Sequence, residues 1–389
     1  MMKRILCLLM CMMCLLPVHA AGAETLGFGF VNATDVALRK APGERRIHRL
    51  PKDTCVWITD SQTDGKGTLW YKVNVGVREN YTSYDFTGWI MAEFVDAGDE
   101  VWHDVASVSA HGYGMTALRT DGTVVTVGRP WWINGVTTSI RGWADGYTSV
   151  VQAGVLNHTM GQFVITADGT FASYSEWLHN SFVGIPLRLF CGRRPYPAIT
   201  REQKLVLTEE LPIQWLSPQE EPTPEQLARV EQMTCNNSIM ILRTTDGDIM
   251  AARFEHDSAE STLPDWTAWT ELAGISTDTS LDAEDRFGCN LYVGVRRDGS
   301  VVAEPQWLEE ALSGWTNMAQ VELFSTYALG LRKDGTAVSV GLNGHCAPDV
   351  SAWRDVKAVD VASTYCVGIK RDGTLIFAGD YIFMGEGHS

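Results

Sequence analysis

One stretch of this chain reads Val367-Gly368-Ile369-Lys370-Arg371-Asp372-Gly373-Thr374-Leu375-Ile376, and its pattern decides the fold class because it recurs along the sequence. An Asp-Gly pair lies between two apolar runs at six places: Asp121-Gly122, Asp168-Gly169, Asp246-Gly247, Asp298-Gly299, Asp334-Gly335 and Asp372-Gly373. Asp-Gly between β-favouring runs predicts a β-hairpin, since both residues tolerate the positive φ that a two-residue turn requires. The chain is therefore expected to be all-β.

The spacing of these hairpins predicts how they are arranged. The last three Asp-Gly pairs are 36 and 38 residues apart, and Trp102, Trp315 and Trp353 each precede such a pair by 19 residues. Trp269 marks a looser copy. Hairpins that recur about every 40 residues predict a β-propeller, whose blades bury their faces only against neighbouring blades. Because aromatic rings contribute most to apolar burial, the tryptophans are expected to pack the blades.

One gap leaves the number of blades open. Asp168 and Asp246 are 78 residues apart, which is about two periods. Between them, Glu209-Glu210 stands where a degenerate hairpin would have Asp-Gly, which would give seven blades. Otherwise residues 185–230 are an insertion and the blades number six. Thr223 before Pro and Glu predicts a helix start within this stretch. We favour seven blades.

The start of the chain has the pattern of a signal peptide. Lys3 and Arg4 precede an apolar run, and small residues end the segment at Ala20 or Ala23. Residues 1–23 are therefore predicted to be removed on export. No second long apolar segment follows, so we expect no membrane span and a secreted protein, extracellular or associated with the cell wall.

Charge and cysteine content restrict the partners. The formal net charge is −16, and it becomes −18 without Lys3 and Arg4. Such an acidic chain repels phosphate backbones, so nucleic acid is not an expected partner. Six cysteines follow residue 23, and their spacing predicts no particular disulfide pairing.

Residues 24–97 have a different sequence pattern from the repeats. Short apolar-alternating runs such as Leu69-Trp70-Tyr71-Lys72-Val73 and Thr87-Gly88-Trp89-Ile90 predict a small β-barrel. The order of these phrases resembles the bacterial SH3-like domain, a family that commonly attaches to cell walls. The loop from Asn74 to Phe86 is longer than that family's usual loop, and it carries the three predicted ligand-binding residues, which are Tyr81, Tyr84 and Phe86.

Residues 99–389 resemble the regulator-of-chromosome-condensation repeats, a family of seven-bladed propellers. The phrase Ser339-Val340-Gly341-Leu342-Asn343 matches the end of that repeat. This chain departs from the family by lacking its frequent His seven residues before the Asp; residues such as Tyr327 and Tyr365 stand there. The nucleotide exchange carried out by the eukaryotic namesake is not expected to transfer, since fold does not fix function.

Sequence motifs of catalysis are missing from the chain. It has no His-Glu-x-x-His, no paired Cys-x-x-Cys, no Gly-x-Ser-x-Gly and no phosphate loop, so no catalytic residue, metal site or cofactor is predicted. The turn aspartates are interpreted as turn formers, and Glu209 and Glu210 are the acids to test first.

We therefore expect a secreted, non-catalytic binding or scaffold protein. Its SH3-like module would bind cell-wall peptidoglycan or a peptide, and its propeller would hold a protein or glycan. The alternative is an extracellular hydrolase or lyase with its site in the propeller pore, which acidic residues converging there would support.

Overall fold

The structure is a computed structural model. It describes residues 26–380 except 80–81, 112–113, 129–143, 145–146, 157–160, 194, 209–211, 218–219, 237, 255–263, 265, 267–268 and 280–289. The regular structure of the described residues is mainly β-strand, grouped into one large sheet and seven small ones. Three short α-helices are described besides, α1 (Glu176–Ser181), α2 (Pro224–Ala228) and α3 (Gln306–Leu312), together with two 3-10 helices at Ala92–Phe94 and Gly98–Glu100.

The first sheet is antiparallel and contains seven strands. These are β1 (Gly27–Val31), β2 (Val36–Arg39), β3 (Arg46–Leu50), β4 (Cys55–Thr63), β5 (Leu69–Glu79), β6 (Thr82–Met91) and β7 (Val95–Ala97). They lie in the order β3-β2-β6-β5-β4-β1-β7. Aliphatic side chains such as Leu38, Ile58, Val73 and Ile90 are buried together and form the sheet's own core. Burying one face of a strand is what the apolar alternation in the sequence predicts, although β1 is buried along its whole length.

The seven small sheets follow in chain order and are named blades 1 to 7. Their strands are β8 (Val105–His111), β9 (Gly114–Arg119) and β10 (Val124–Gly128) in blade 1; β11 (Val150–Val155), β12 (Gln162–Thr166) and β13 (Phe171–Ser173) in blade 2; β14 (Leu187–Phe190), β15 (Ala198–Thr200) and β16 (Leu205–Val206) in blade 3; β17 (Ile213–Ser217), β18 (Val230–Cys235), β19 (Ile239–Thr244) and β20 (Ile249–Phe254) in blade 4; β21 (Leu272–Thr279), β22 (Asn290–Arg296) and β23 (Val301–Glu304) in blade 5; β24 (Met318–Phe324), β25 (Tyr327–Arg332) and β26 (Ala337–Gly341) in blade 6; and β27 (Val356–Val361), β28 (Tyr365–Lys370) and β29 (Leu375–Gly379) in blade 7.

The blades close into a ring. Each blade contacts the next, and β8 of blade 1 contacts both β11 of blade 2 and β27 of blade 7. The described residues thus form a propeller-type fold with seven blades, which agrees with the larger of the two blade counts considered from the sequence. The closed ring leaves each blade face covered by a neighbour, as the repeat pattern requires.

The Asp-Gly turns differ from the predicted two-residue type. In blade 6 the Arg332 amide donates to the Thr336 carbonyl at 2.8 Å, and the Gly335 amide donates to the Arg332 carbonyl at 3.0 Å. This is a three-residue loop in which only Gly335 takes a positive φ, of 86°. Asp334 instead accepts hydrogen bonds from the amide and hydroxyl of Thr336, which lower the pKa of its carboxyl. The interpretation of these aspartates as turn formers is therefore confirmed for this blade.

Blade 3 shows how the 78-residue gap is filled. Its turn lies at residues 200–204, where Gln203 adopts a φ of 61° in the position that Gly holds elsewhere. The predicted hairpin around Glu209-Glu210 was wrong in its pairing, because Leu205 pairs back with Ile199 in blade 3 while Ile213 opens a strand of blade 4. Glu209 and Glu210 themselves lie outside the described residues.

The same stretch also contains the predicted helix. Thr223 caps α2: its hydroxyl accepts from the Gln226 amide at 3.3 Å, and the Gln226 side chain accepts from the Thr223 amide at 2.8 Å. This reciprocal arrangement satisfies two backbone donors at the helix start. Residues 185–230 are thus neither a pure insertion nor a single blade; they hold blade 3, a fourth strand for blade 4, and α2.

The repeated tryptophans pack the blades, as expected. Trp102, Trp269 and Trp353 are buried and Trp315 is half-buried. The Trp353 ring lies against Gly368 of the middle strand, where a Cβ atom would be only 2.8 Å from the ring. A glycine in that strand therefore makes room for the ring, which explains why the tryptophan and the hairpin keep a fixed spacing.

The N-terminal sheet shares a core with the ring. Phe28 and Trp57 of the sheet are fully buried beside Tyr365 and Phe377 of blade 7. The centroid of the Phe28 ring lies 4.9 Å from that of the Trp57 ring and 5.6 Å from that of the Tyr365 ring. The Trp102 indole N–H donates to the Phe28 carbonyl at 2.8 Å. The two parts are therefore joined by packed aromatic rings as well as by the chain near residues 97–100.

Candidate functional site

The innermost strand of every blade, which is β18 in blade 4 and the first strand in each of the others, lines a central channel. A cavity of about 270 Å³ opens along these strands. One residue from each blade, always four positions after the first residue of that strand, lines the cavity; these seven residues form the channel ring: Ser109, Gly154, Cys191, Thr234, Ser276, Glu322 and Asp360. Five of the seven are small, and the two acids stand in the neighbouring blades 6 and 7.

Glutamine side chains next to this channel tie neighbouring blades together at every second joint. The Gln152 amide nitrogen donates to the Phe190 carbonyl at 2.8 Å, and its oxygen accepts from the Phe190 amide at 3.0 Å. Gln232 makes the same pair of bonds to Ile275, and Gln320 to Val359. Each glutamine follows a β-bulge in its strand, which turns the side chain towards the next blade.

Channel-ring residues complete other joints. The Ser109 hydroxyl accepts from the Val155 amide at 3.1 Å, joining blades 1 and 2. Asp360 occupies the equivalent position in blade 7, and its carboxylate accepts from the Ala110 amide of blade 1 at 2.7 Å. Asp360 therefore accepts the hydrogen bond that joins two neighbouring blades, as the neutral Ser109 hydroxyl does between blades 1 and 2. Its carboxylate also brings a negative charge into the channel.

Glu322 is the second acid in the channel ring. Its carboxylate accepts from the Gln320 side-chain amide at 2.9 Å and is also hydrogen-bonded to Ser276. Burial raises the pKa of Glu322 to about 7, and repulsion from Asp360 adds to the rise. Burial likewise raises the pKa of Asp360 to about 6, against hydrogen bonds from the Ala110 and Val361 amides. Both side chains are half-buried, since they border the channel.

A cation also borders the channel. Arg193 donates to the Thr277 carbonyl at 2.8 Å and lies 3.3 Å from the Asp278 carboxylate. The arginine comes from blade 3 and its partners from blade 5, so it crosses the channel side of blade 4. Its guanidinium is thus held in place, and the channel presents one fixed cation and two carboxyls that titrate near neutral pH.

Replacing Glu322 by Gln is expected to change how stability depends on pH. An acid whose folded pKa is raised stabilises the fold fully below its unfolded pKa of 4.5, and this contribution is lost as the pH rises to about 7. The Glu322→Gln variant keeps the shape without the charge. Its free energy of unfolding should match that of the wild type near pH 4.5 and exceed it by on the order of 2 kcal/mol at pH 8. Urea unfolding at several pH values measures this.

The control for this prediction is Glu309→Gln on α3. Glu309 is exposed, so its removal should leave the pH profile parallel to that of the wild type. Parallel profiles for Glu322→Gln as well would show that Glu322 ionises in the folded protein as it does in the unfolded chain.

Of the ligand-binding residues predicted from the sequence, only Phe86 has a described side chain, and it is not among the residues that line the channel. Phe86 is half-buried and stacks on His48, with ring centroids 4.9 Å apart and planes 14° apart, over the core of the N-terminal sheet. Tyr84 belongs to β6, where its backbone pairs with Val77, and Tyr81 lies outside the described residues. Their role as a contact surface stays a prediction.

The sequence analysis did not identify Glu322, Asp360 or Arg193. A signal for the two acids was nevertheless present, because each lies seven residues after a repeated tryptophan, Trp315 and Trp353. The same offset from Trp102 leads to Ser109, so comparing the repeats at that position exposes the acids as departures. Arg193 had no such marker, since blade 3 lacks the Asp-Gly turn that would have aligned it.

Within the described ranges, no three His, Cys, Asp or Glu side chains come together in a group that could hold a metal ion. None of the helices described is both long enough and apolar enough to cross a membrane.

Comparison with known proteins shows distant likeness only. No protein-family model matches the chain, and no curated protein matches its sequence. Among solved structures it is similar to the CRINKLY WD40 ectodomain of the Arabidopsis thaliana receptor kinase ACR4, at 7% identity and a TM-score of 0.35, covering 83% of this chain and 96% of that one. It is also similar to yeast RCC1 (Prp20), solved with Kap60, at 10% identity and a TM-score of 0.33, covering 93% and 90%. With scores this low, the propeller-type fold rests on the sheet topology described above.

Proposed function

We propose that this chain is an exported, non-catalytic binding protein. In this proposal the N-terminal sheet is an SH3-like module that attaches to cell-wall peptidoglycan or a peptide. The ring, built from repeats of the regulator-of-chromosome-condensation type, holds a protein or glycan. The observation that carries the proposal is the aromatic core around Phe28, Trp57 and Phe377, which fixes the sheet on the ring. A fixed pair of surfaces suits an adaptor that must hold two partners at a set distance.

The state of the channel residues also supports binding over catalysis. The Asp360 carboxylate accepts two backbone amides, and Glu322 is held by Gln320. Arg193 is engaged with Thr277 and Asp278. Groups held in this way stabilise the joints between blades, whereas a catalytic acid or base needs a lone pair or proton directed at substrate.

The test is sedimentation of the mature protein, residues 24–389, with purified sacculi. We expect the wild type to sediment with them and a Tyr81→Ser, Tyr84→Ser double variant to lose at least about tenfold in affinity, as loss of aromatic anchors does at interfaces. The matched control is Trp177→Ser, which removes a ring that is 52% exposed on α1 of the propeller. A wild type that stays in the supernatant would contradict wall attachment.

Export is tested separately by fractionation and N-terminal sequencing. We expect a chain that begins after Ala20 or Ala23, outside the cytoplasm. An intact chain confined to the cytoplasm would contradict export, whatever the protein binds.

One observation favours the second candidate, a hydrolase or lyase acting in the channel. Glu322 and Asp360 break a ring position that is otherwise small, which is how an added site shows in a repeat. Glu322, with a pKa of about 7, would serve as the acid and Asp360 as the base. Turnover of glycan, ester, peptide or phosphate substrates that disappears in Glu322→Gln, with unchanged melting, would replace the binding proposal by this one.

A further inference from the structure

Two cysteines from neighbouring blades meet beside the channel. Cys191 follows β14 of blade 3 and Cys235 ends β18 of blade 4, and their sulfur atoms are 3.2 Å apart. Cys191 is 6% exposed and lines the cavity, whereas Cys235 is fully buried behind it. A disulfide needs a sulfur separation of about 2.0 Å, so the two side chains must approach by only about 1 Å.

The joint between blades 3 and 4 is built differently from the other six. At those six, the carbonyl of a turn glycine accepts from the first amide of the next blade, at 2.8–3.1 Å; the pairs are Gly122 with Val150, Gly169 with Leu187, Gly247 with Leu272, Gly299 with Met318, Gly335 with Val356, and Gly373 with Val105. Gln203 stands at that position in blade 3. The described bonds here come from side chains. Arg188 donates to the Val230 carbonyl at 2.8 Å and the Leu227 carbonyl at 2.6 Å, and the Cys235 thiol donates to the Arg193 carbonyl at 3.3 Å. This joint therefore relies on side chains, and the two thiols lie within it.

The surroundings of the two thiols give them different reactivity. The hydrogen bond with Cys235 lowers the pKa of Cys191, with help from the Arg193 backbone and charge, whereas burial raises the pKa of Cys235. Thiolates are the attacking species in disulfide exchange, so Cys191 is suited to react first with a small molecule in the channel. Cys235 is placed to attack second, from within the protein.

We propose that Cys191 and Cys235 are a dithiol that oxidises to a disulfide, which locks blade 3 to blade 4. The reaction partner is a small disulfide. The Cys191 thiolate attacks one of its sulfurs and releases one thiol; Cys235 then gives up its proton and attacks the Cys191 sulfur, releasing the second thiol. The protein loses two electrons and two protons, and the small disulfide is reduced to two thiols. Oxidation in the cell rests on the proposed export, but the pairing itself does not.

The test uses the mature protein, first reduced and then equilibrated with oxidised and reduced glutathione. Peptide mass mapping should find Cys191 linked to Cys235, and the oxidised form should melt several degrees higher than the reduced form. Cys191→Ser and Cys235→Ser should each lose both the link and the shift. Cys346→Ser, at an exposed cysteine, should keep both.

Two outcomes would overturn the proposal. One is that both thiols stay reduced in oxidised glutathione; the other is that either cysteine links to a different partner such as Cys289 or Cys346. If the serine variants fail to fold, thiol alkylation of the wild type in denaturant before and after oxidation decides the matter alone, since in the unfolded chain only oxidation protects both residues together. Oxidation in vitro combined with a reduced, cytoplasmic chain in cells would support the dithiol and contradict export.

Discussion

Phe28→Ala is expected to lower the free energy of unfolding of the whole chain by about 3–5 kcal/mol, the usual loss for a buried Phe. The Phe28 ring has no exposed surface and packs edge-on against Trp57, Tyr365 and Phe377. Removing it opens a cavity between the N-terminal sheet and blade 7. Because both parts border that cavity, we expect both to lose stability.

Urea unfolding followed by far-ultraviolet circular dichroism and tryptophan fluorescence measures this effect. The control is Trp177→Ala, which removes a larger ring from a position that is 52% exposed and should change stability far less. A Phe28→Ala protein in which the sheet unfolds early and the ring unfolds as in the wild type would show that the shared core does not couple the two parts.

The core that the N-terminal sheet shares with blade 7 was difficult to predict, and β1 shows why. Its sequence Gly27-Phe28-Gly29-Phe30-Val31 is buried at all five positions. A strand that is buried on both faces loses the apolar alternation by which a strand is recognised, and it reads as a short apolar run of uncertain type. The partner faces on blade 7 come from residues more than 330 positions away. Nothing local connects them.

The ring of blades was easier to predict because the same local packing recurs from blade to blade. In blade 7 the Trp353 ring packs on Gly368, and the turn at Gly373 follows. These contacts lie within about 20 residues of chain, so the tryptophan and the turn keep a fixed spacing in the sequence. The hairpin of blade 3 was not predicted correctly because Gln203 replaces the turn glycine. Gln203 adopts a left-handed φ, and no Asp-Gly pair marks the turn in the sequence. Glu322 and Asp360 were not predicted for another reason. An acid at one position of a repeat stands out only when the same position is compared in all the blades.

The channel and the proposed adaptor role are linked by the joints between blades. Gln152, Gln232 and Gln320 hold alternate joints with paired amide bonds, while Asp360 holds the closure of blade 7 on blade 1. A ring fastened in this way keeps its outer surfaces in fixed positions, which a binding scaffold needs. Asp360, whose pKa is raised by burial to about 6, is therefore a titratable group at the joint that closes the ring.

Gly335→Val is expected to destabilise the protein by about 3 kcal/mol or more, for two additive reasons. The first is backbone strain: Gly335 has a φ of 86°, and a non-glycine residue in such a region costs about 1–3 kcal/mol. The second is contact with the next blade, because a Cβ atom there would lie 3.2 Å from the backbone nitrogen and oxygen of Val356. To relieve that contact the Val356 backbone must shift by a few tenths of an ångström, which disturbs the joint between blades 6 and 7.

Gly344→Val separates these two causes. Gly344 has a similar φ of 78°, but no atom lies within 4 Å of the position its Cβ would take. Both variants suffer the strain, and only Gly335→Val disturbs the neighbouring blade, so the difference between their free energies of unfolding measures the joint. Lys333→Ala, which removes one exposed hydrogen bond to the Arg297 carbonyl, should be nearly neutral. Equal losses in the two valine variants would mean that the turn glycines serve only their own hairpins and that the blades do not depend on them for their joints.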